Sequence, residues 1–376
     1  MPIKILSFLL INLILVANVY AAPTINSTSG TFTTGQSVNI SGSGFGIKTT
    51  AKPLVYADFA SSTAPNGTLG QTSSWAATGH CLSQVTGSEC PDGSGSCIRS
   101  TDGSEACFDN GGVILGVDQT SWNTAGNYIY IYQKKHYNYT THPDNYHGVG
   151  ITDNYKNYRA WPTDPVNLPD WYISINNNRT AFEAYNEDIT LADNNIDLPI
   201  LPFPQEWFVE EFLIHVGDPW PAVNGNWILY RDGDQKFSHS MCLRGNSGSA
   251  DDVDITRFYV VHEVPDFSDD RWPCWSTDNR FWADDVYVDT TWSRVMICAG
   301  STWTNRGHCE IQIPSAWSDT SSTVTVESGT ITGTNYLYVV DASNTANSSG
   351  YQVTIGEGSS PMHTMQGTSI SGGSIR

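Results

Sequence analysis

The densest run of side chains able to do chemistry lies between Asn127 and Tyr137. Successive side chains on a strand point to opposite faces. An extended segment here therefore shows Tyr128, Tyr130, Tyr132, Lys134 and His136 on one face. Ile129, Ile131, Gln133 and Lys135 occupy the other, and the two isoleucines mark it as core. The first face is expected to be exposed or to line a groove. Tyrosine rings there would stack on sugar rings, while Lys134 and His136 would meet hydroxyls or carboxylates. Cross-strand packing of tyrosines on a solvated sheet would produce the same pattern.

A second strand-like run, Glu206 to His215, places Phe208, Glu210, Phe212 and Ile214 on its more apolar face, where Glu210 needs a partner. Trp207, Val209, Glu211, Leu213 and His215 take the opposite face, and Arg231 ends a neighbouring run. With Tyr130, Tyr132, Lys134 and His136, the residues Glu211, His215 and Arg231 make up the expected ligand-binding set. The same types could serve β-elimination from a uronate. That reaction needs a cation or amide at the carboxylate, a base for the C5 proton and an acid for the leaving oxygen. His136, Tyr132, Lys134 and Arg231 are the catalytic candidates. No serine-hydrolase elbow, phosphate loop or metalloprotease helix motif is present.

The elements that must position these groups are strands. Thr, Ser, Asn, Gly, Tyr and Trp are abundant, good helix formers are scarce, and short apolar runs alternate with Gly/Asn/Asp/Ser clusters. The expected fold class is all-β. Lys and Arg number 18 against 38 Asp and Glu, for a net charge of −20. Nucleic-acid binding is disfavoured because such a surface cannot displace counterions from phosphates. An apolar run from Ile5 to Val16, behind Lys4 and ahead of Val19-Tyr20-Ala21, reads as a signal peptide over residues 1–22. No later run is long enough for a membrane span. The eight cysteines, with no Cys-x-x-Cys pair, read as disulfides of a secreted or cell-surface protein rather than a zinc site.

Two resemblances organise the chain. Val38 and Ile40 alternate into a turn where Gly42, Gly44 and Gly46 flank Phe45, which resembles the opening of IPT/TIG-type immunoglobulin-like domains. Runs at Arg294–Cys298, 310–319, 323–327, 335–341 and 351–355 look like the later strands of that fold. The resemblance implies one immunoglobulin-like domain made of residues 23–50 and 293–356, with residues 51–292 inserted. The insert, with its opening Asp58-Phe59, the Trp207 strand, the Arg231-Asp232-Gly233 ending and the closing Asp284-Asp285-Val286, is similar to concanavalin A-like (laminin G/glucanase) jelly rolls. The expected architecture is a jelly-roll β-sandwich inserted in a split immunoglobulin-like β-sandwich. A Gly/Ser-rich tail covers residues 357–376.

The jelly-roll resemblance implies a concave sugar-binding face carrying Glu211 and His215. It also implies a structural Ca2+ site at Asp58, Asp284 and Asp285, although a solvated acidic edge reads equally well. Retaining glucanases of this fold place Glu-x-Asp-x-Glu on one strand. Glu206 and Glu210 keep the outer spacing here, but Phe208 stands where the central Asp would be. The leading expectation is a secreted, extracellular polysaccharide-binding protein. Alternatives are a polysaccharide lyase or glycoside hydrolase on the same face, and a structural adhesion protein.

Overall fold

A computed structural model describes residues 21–59, 77–78, 82–91, 95–100, 115–118, 128–137, 156–162, 171–175, 182–186, 196–197, 206–218, 222, 224–241, 255–261 and 281–356. The expected leader and tail fall almost wholly outside these residues, as do Cys81, Cys107, Cys242 and Cys274.

The chain is all-β. From the N-terminus run β1 (Thr24–Ser29), β2 (Ser37–Ser43), β3 (Val55–Ala57), β4 (Ala77–Thr78), β5 (Leu82–Thr86), β6 (Ser96–Ser100) and β7 (Leu115–Asp118). The middle of the chain gives β8 (Tyr128–Tyr137), β9 (Lys156–Pro162), β10 (Trp171–Ile175), β11 (Phe182–Asn186), β12 (Ile196–Asp197), β13 (Phe208–His215), β14 (Gly225–Arg231), β15 (Asp234–Met241) and β16 (Ile255–Val261). Then follow β17 (Phe281–Asp289), β18 (Arg294–Cys298), β19 (Cys309–Ser318), β20 (Ser321–Thr325), β21 (Gly333–Val340) and β22 (Tyr351–Ile355). Helical structure among the described residues amounts to single 3-10 turns at Gly87–Glu89 and Trp303–Asn305. No helix among them is long and apolar enough to cross a membrane.

Three antiparallel sheets result. The two ends of the chain meet in one, ordered β1-β2-β20-β19-β18-β21-β22. The middle of the chain forms the other two, β12-β11-β10-β9-β16-β7-β4 and β15-β14-β13-β8-β17-β6-β5, with β3 pairing on β17.

The end sheet closes over its own core because β19 changes partner part-way along. Its first half pairs with β18 and its second with β20, and a register break lies between Pro314 and Ala316. Proline donates no ladder hydrogen bond, and a bulge bends the strand. Val38, Ile40, Val295, Ile297, Leu337, Val339 and Val353 fill the core so enclosed. The alternate residues Met296, Cys298, Tyr338 and Val340 point the other way, so β18 and β21 are buried on both faces. Their outer face packs on the β8–β13–β17 sheet, meeting Tyr130, Tyr132, Val209, Leu213 and Tyr287. Cys298 and Cys309 are opposite one another in the β18–β19 register and form a disulfide, and a second joins Cys90 to Cys97.

The far face of the β8–β13–β17 sheet carries Ile129, Ile131, Phe212, Trp227 and Val288, all buried. Tyr158 of β9 approaches it from the second middle sheet, with Phe258 of β16 beside it. The central sheet thus has a packed layer on each side.

Candidate functional site

Among the described residues, most of the buried face that the β8–β13–β17 sheet turns toward Tyr158 and Phe258 is apolar. One end is not. In the antiparallel register Arg231 of β14, Glu210 of β13 and Gln133 of β8 lie side by side in one cross-strand row. Lys135, two residues along β8, is on the same face. Tyr158 comes down from β9.

Three of these side chains converge on the Glu210 carboxylate, and Gln133 reaches it through Tyr158. Glu210 Oε1 accepts hydrogen bonds from Lys135 Nζ at 2.7 Å and from the Tyr158 hydroxyl at 2.6 Å. Glu210 Oε2 accepts from Arg231 Nε at 2.9 Å. The Tyr158 oxygen in turn accepts from Gln133 Nε2 at 2.7 Å and from Lys135 Nζ at 3.2 Å. The Lys135 ammonium also lies 4.4 Å from the centre of the Tyr158 ring. Glu210, Gln133 and Tyr158 are fully buried, Lys135 is 2% exposed and Arg231 is 5% exposed.

Burial shifts each titration. Desolvation outweighs the attraction of Glu210 and lowers Lys135 to about 8, with Arg231 pushing the same way. Burial alone would raise Glu210, but Lys135 and Arg231 overcome it and bring the carboxyl down to about 2. Burial and the Glu210 charge raise the Tyr158 phenol well above its usual value. At neutral pH the cluster therefore holds a carboxylate, a protonated phenol and a lysine within reach of its neutral form.

On the opposite face of β8 and β13 the expected sugar stripe is not open to solvent. Tyr130 and Tyr132 are fully buried, and Lys134 and Glu211 nearly so, beneath the sheet formed by the chain's two ends. Glu211 accepts from the Tyr130 hydroxyl at 2.9 Å and pairs with Arg294 Nη2 at 3.0 Å and Arg306 Nη2 at 3.1 Å. Lys134 Nζ pairs with Asp285 at 2.7 Å and Glu310 at 2.8 Å. Burial works against the Lys134 ammonium, but these two carboxylates outweigh it and hold its pKa above the usual lysine value. The Tyr132 hydroxyl lies 3.0 Å from the Cys309 carbonyl and 3.2 Å from Glu310 Oε2. The expectation of exposure is corrected for a physical reason. Alternation tells which residues share a face, but not what a distant part of the chain lays over it.

The remaining expected residues scatter. His136 is half-buried at the end of β8, its ring 5.6 Å from Trp207 and 4.8 Å from Trp282. His215 stacks on Tyr128 at 4.6 Å, at the other end of the sheet. Arg231 alone of the expected set enters the Glu210 cluster. Glu206 is exposed ahead of β13, while Glu210 is wholly buried, so the two do not face each other across a sugar site.

Of the three carboxylates expected to bind Ca2+, the Asp285 and Asp58 charges both act on Asp284. A bulge in β17 puts Asp285 at φ 48°, and its carboxylate meets Lys134 and the Tyr56 hydroxyl. Asp284 accepts from the Asp285 backbone N–H, and burial beside the Asp285 charge raises its pKa well above the carboxylate range. Asp58 is exposed. Among the described residues no three His, Cys, Asp or Glu side chains are grouped to hold a metal ion. The Lys134 ammonium lies 2.7 Å from Asp285.

Sequence reasoning missed Lys135, Gln133 and Tyr158. A signal existed for the first two: both share the isoleucine face of β8, and buried polar groups must be paired. Glu210, known from its position to need a partner, pairs with Lys135, while Gln133 bonds Tyr158. Tyr158 carried no local signal.

The chain matches no family model, and no curated protein matches it. Among solved structures it is similar to the alginate lyase Aly36B, with a TM-score of 0.34 and 9% identity over 51% of this chain and 80% of the other. A doubly substituted variant of that enzyme, in complex with an alginate tetrasaccharide, gives a TM-score of 0.36 at the same identity and coverage.

Proposed function

We propose that the chain is an exported polysaccharide lyase acting on a uronate-containing glycan, with the Glu210 cluster as its acid–base centre. The observation that carries this reading is the convergence of Lys135, Tyr158 and Arg231 on one buried carboxylate, with Gln133 on the Tyr158 hydroxyl. Buried ion clusters contribute little net stability compared with apolar packing, and ionisable groups with strongly shifted titration mark sites of chemistry. Export rests on the N-terminal leader expected from sequence and on the two disulfides.

The pKa directions support one division of roles. Lys135, lowered to about 8, is the base, because its neutral amine is accessible near neutral pH. Tyr158, whose phenol is held protonated, is the acid. Arg231 and Gln133 offer a cation and an amide to the uronate carboxylate. The amine of Lys135 takes the C5 proton, and the electron pair of that bond forms the C4–C5 double bond. The C4–O bond breaks, and the leaving glycosidic oxygen takes the Tyr158 proton. Lys135, now an ammonium 3.2 Å from the phenolate oxygen, returns its proton to Tyr158 and both groups are reset. Atoms balance without water, which suits a site closed inside a sandwich. The cluster is covered in the structure described, so turnover requires its cover to move aside.

The test is incubation of the mature protein with a panel of uronate and neutral polysaccharides. Ultraviolet absorbance of the unsaturated uronate is followed alongside retention on insoluble glycan. New absorbance with wild-type protein and none with Lys135→Met is expected. Retention without absorbance would replace cleavage by binding alone, and no response on any uronate glycan would overturn both.

A further inference from the structure

The elimination above uses none of the charged groups buried on the other face of β8 and β13. They need an account, because a buried ion pair is a poor source of stability compared with apolar side chains of similar volume. Their placement supplies one. Tyr132 and Lys134 flank Gln133 along β8, and Lys134 is the covalent neighbour of Lys135. Both flanking side chains end on the same carboxylate, Glu310 of β19, which lies in the sheet formed by the chain's two ends. His308 Nε2 lies 3.0 Å from the other Glu310 oxygen, and its Nδ1 lies 3.3 Å from Asp232. Across the ladder, Glu211 is held from the same sheet by Arg294 and Arg306, and Glu211 adjoins Glu210.

We propose that Glu310 is a positioning residue for the Glu210 cluster: by clamping Tyr132 and Lys134 it fixes the segment of β8 whose other-face side chains, Gln133 between them and Lys135 next along, point at Glu210 and Tyr158. The sheet built from the chain's ends is then part of the catalytic scaffold rather than an appended spacer. Lys135 must keep one nitrogen 2.7 Å from Glu210 and 3.2 Å from the Tyr158 oxygen at once. A strand free to twist or slide cannot hold both, and a misplacement of about 1 Å can cost on the order of 100-fold in rate.

This inference rests on the lyase reading for its kinetic readout, so the experiment carries a second readout that does not. Glu310→Gln keeps the shape and removes the charge that holds Lys134. His308→Asn is a milder variant at a partly exposed side chain and loosens Glu310 without uncovering a buried charge. Each is checked for a cooperative thermal transition. Then kcat and KM are measured across pH, and the Lys135 ammonium is titrated by NMR in protein labelled at lysine. The groups facing Lys135 among the described residues are Glu210, Arg231, Tyr158 and Gln133.

The expected result is a kcat lowered about 10- to 100-fold in Glu310→Gln and less in His308→Asn, with KM within about twofold. The Lys135 titration should move up toward the ordinary lysine range as water reaches it. A folded variant with the wild-type Lys135 titration and pH–rate profile overturns the proposal. If Glu310→Gln does not fold, His308→Asn decides by the same two readouts. If wild-type protein cleaves no uronate glycan, the lyase reading falls, and the Lys135 titration in the variants still decides whether Glu310 positions it.

Discussion

At the scale of single residues, the proposed chemistry depends on how far a buried lysine is compensated. Glu210 is shared between Lys135 and Arg231, so neither cation has a carboxylate to itself among the described residues. Desolvation therefore prevails at Lys135 and brings it to about 8. A base must be neutral to act, so kcat should rise with pH through about 8 and level off above it. Tyr158 should set no limb below that range, since its phenol stays protonated. Tyr158→Phe should lower kcat by roughly 100- to 10,000-fold, the range for losing a positioned acid. Glu210→Gln is the sharper test. It removes the charge that raises Lys135, so the rising limb should shift to lower pH in whatever protein folds. The fold should suffer, by about 3–5 kcal/mol, because two buried cations lose their anion. Steady-state pH–rate profiles and denaturant titration check both parts. A limb that stays in place in folded Glu210→Gln protein would rule out Lys135 as the base.

At the scale of elements, β8 shows what was legible and where legibility ended. The strand itself, its alternation and the core character of the isoleucine face could be read from residues 127–137, as could the β13 pattern and the need of Glu210 for a partner. All follow from strand geometry, which is local. Which face carries the proposed chemistry could not be read. Both faces of β8 are covered, one by Tyr158 of β9 and one by strands from the far ends of the chain. Those contacts span 23 and 177 residues, and no pattern inside an eleven-residue window encodes them. Charge misled in the same way. Lys134 and Lys135 look alike in sequence, yet they sit in separate ion clusters on opposite faces of one sheet. The prediction that belongs to this scale separates the faces. Tyr132→Phe removes a hydroxyl that serves the Cys309 carbonyl and Glu310, so it should cost about 1–2 kcal/mol of stability. Its effect on glycan retention should be absent, because its ring faces the end sheet. Tm and pull-down on insoluble glycan check this, and lost retention in a folded protein would return Tyr132 to a sugar site.

At the scale of the whole molecule, the two ion clusters set stability and proposed activity against each other along the pH axis. Glu210 and Glu310 are each lowered to about 2, and Glu211 is lowered as well. A carboxyl with a depressed folded pKa stabilises above its unfolded value of about 4.3 and loses that contribution as pH falls toward the folded one. Acid should therefore unfold the chain between about pH 4 and 2. Groups raised in the folded chain act in the opposite sense, Asp284 and Asp289 among them, and Glu327 and His308 with them. Burial, with Asp285 and Asp58 nearby, raises Glu327 to about 8. At His308, burial is outweighed by hydrogen bonds to Asp232 and Glu310, and the imidazole rises to about 9. Each binds its proton more tightly in the folded chain. Their contributions are complete below the unfolded values, about 4.3 and 6.5, and are lost as pH rises to the folded ones. Lys135 runs counter to them, but only between about 8 and its unfolded value near 10.4. Thermal stability should therefore peak at mildly acid pH and decline from there through pH 8, the range in which Lys135 begins to lose its proton. Glu327→Gln should flatten that decline, because glutamine carries no proton to lose, while leaving the acid limb where it was. Calorimetric Tm measured from pH 3 to 9 in both proteins decides the point. An unchanged alkaline slope in the variant would mean that Glu327 does not couple the seam between the sheets to pH. A flattened slope with an unshifted kcat profile would show that the seam and the Glu210 cluster titrate independently, even though β8 belongs to both.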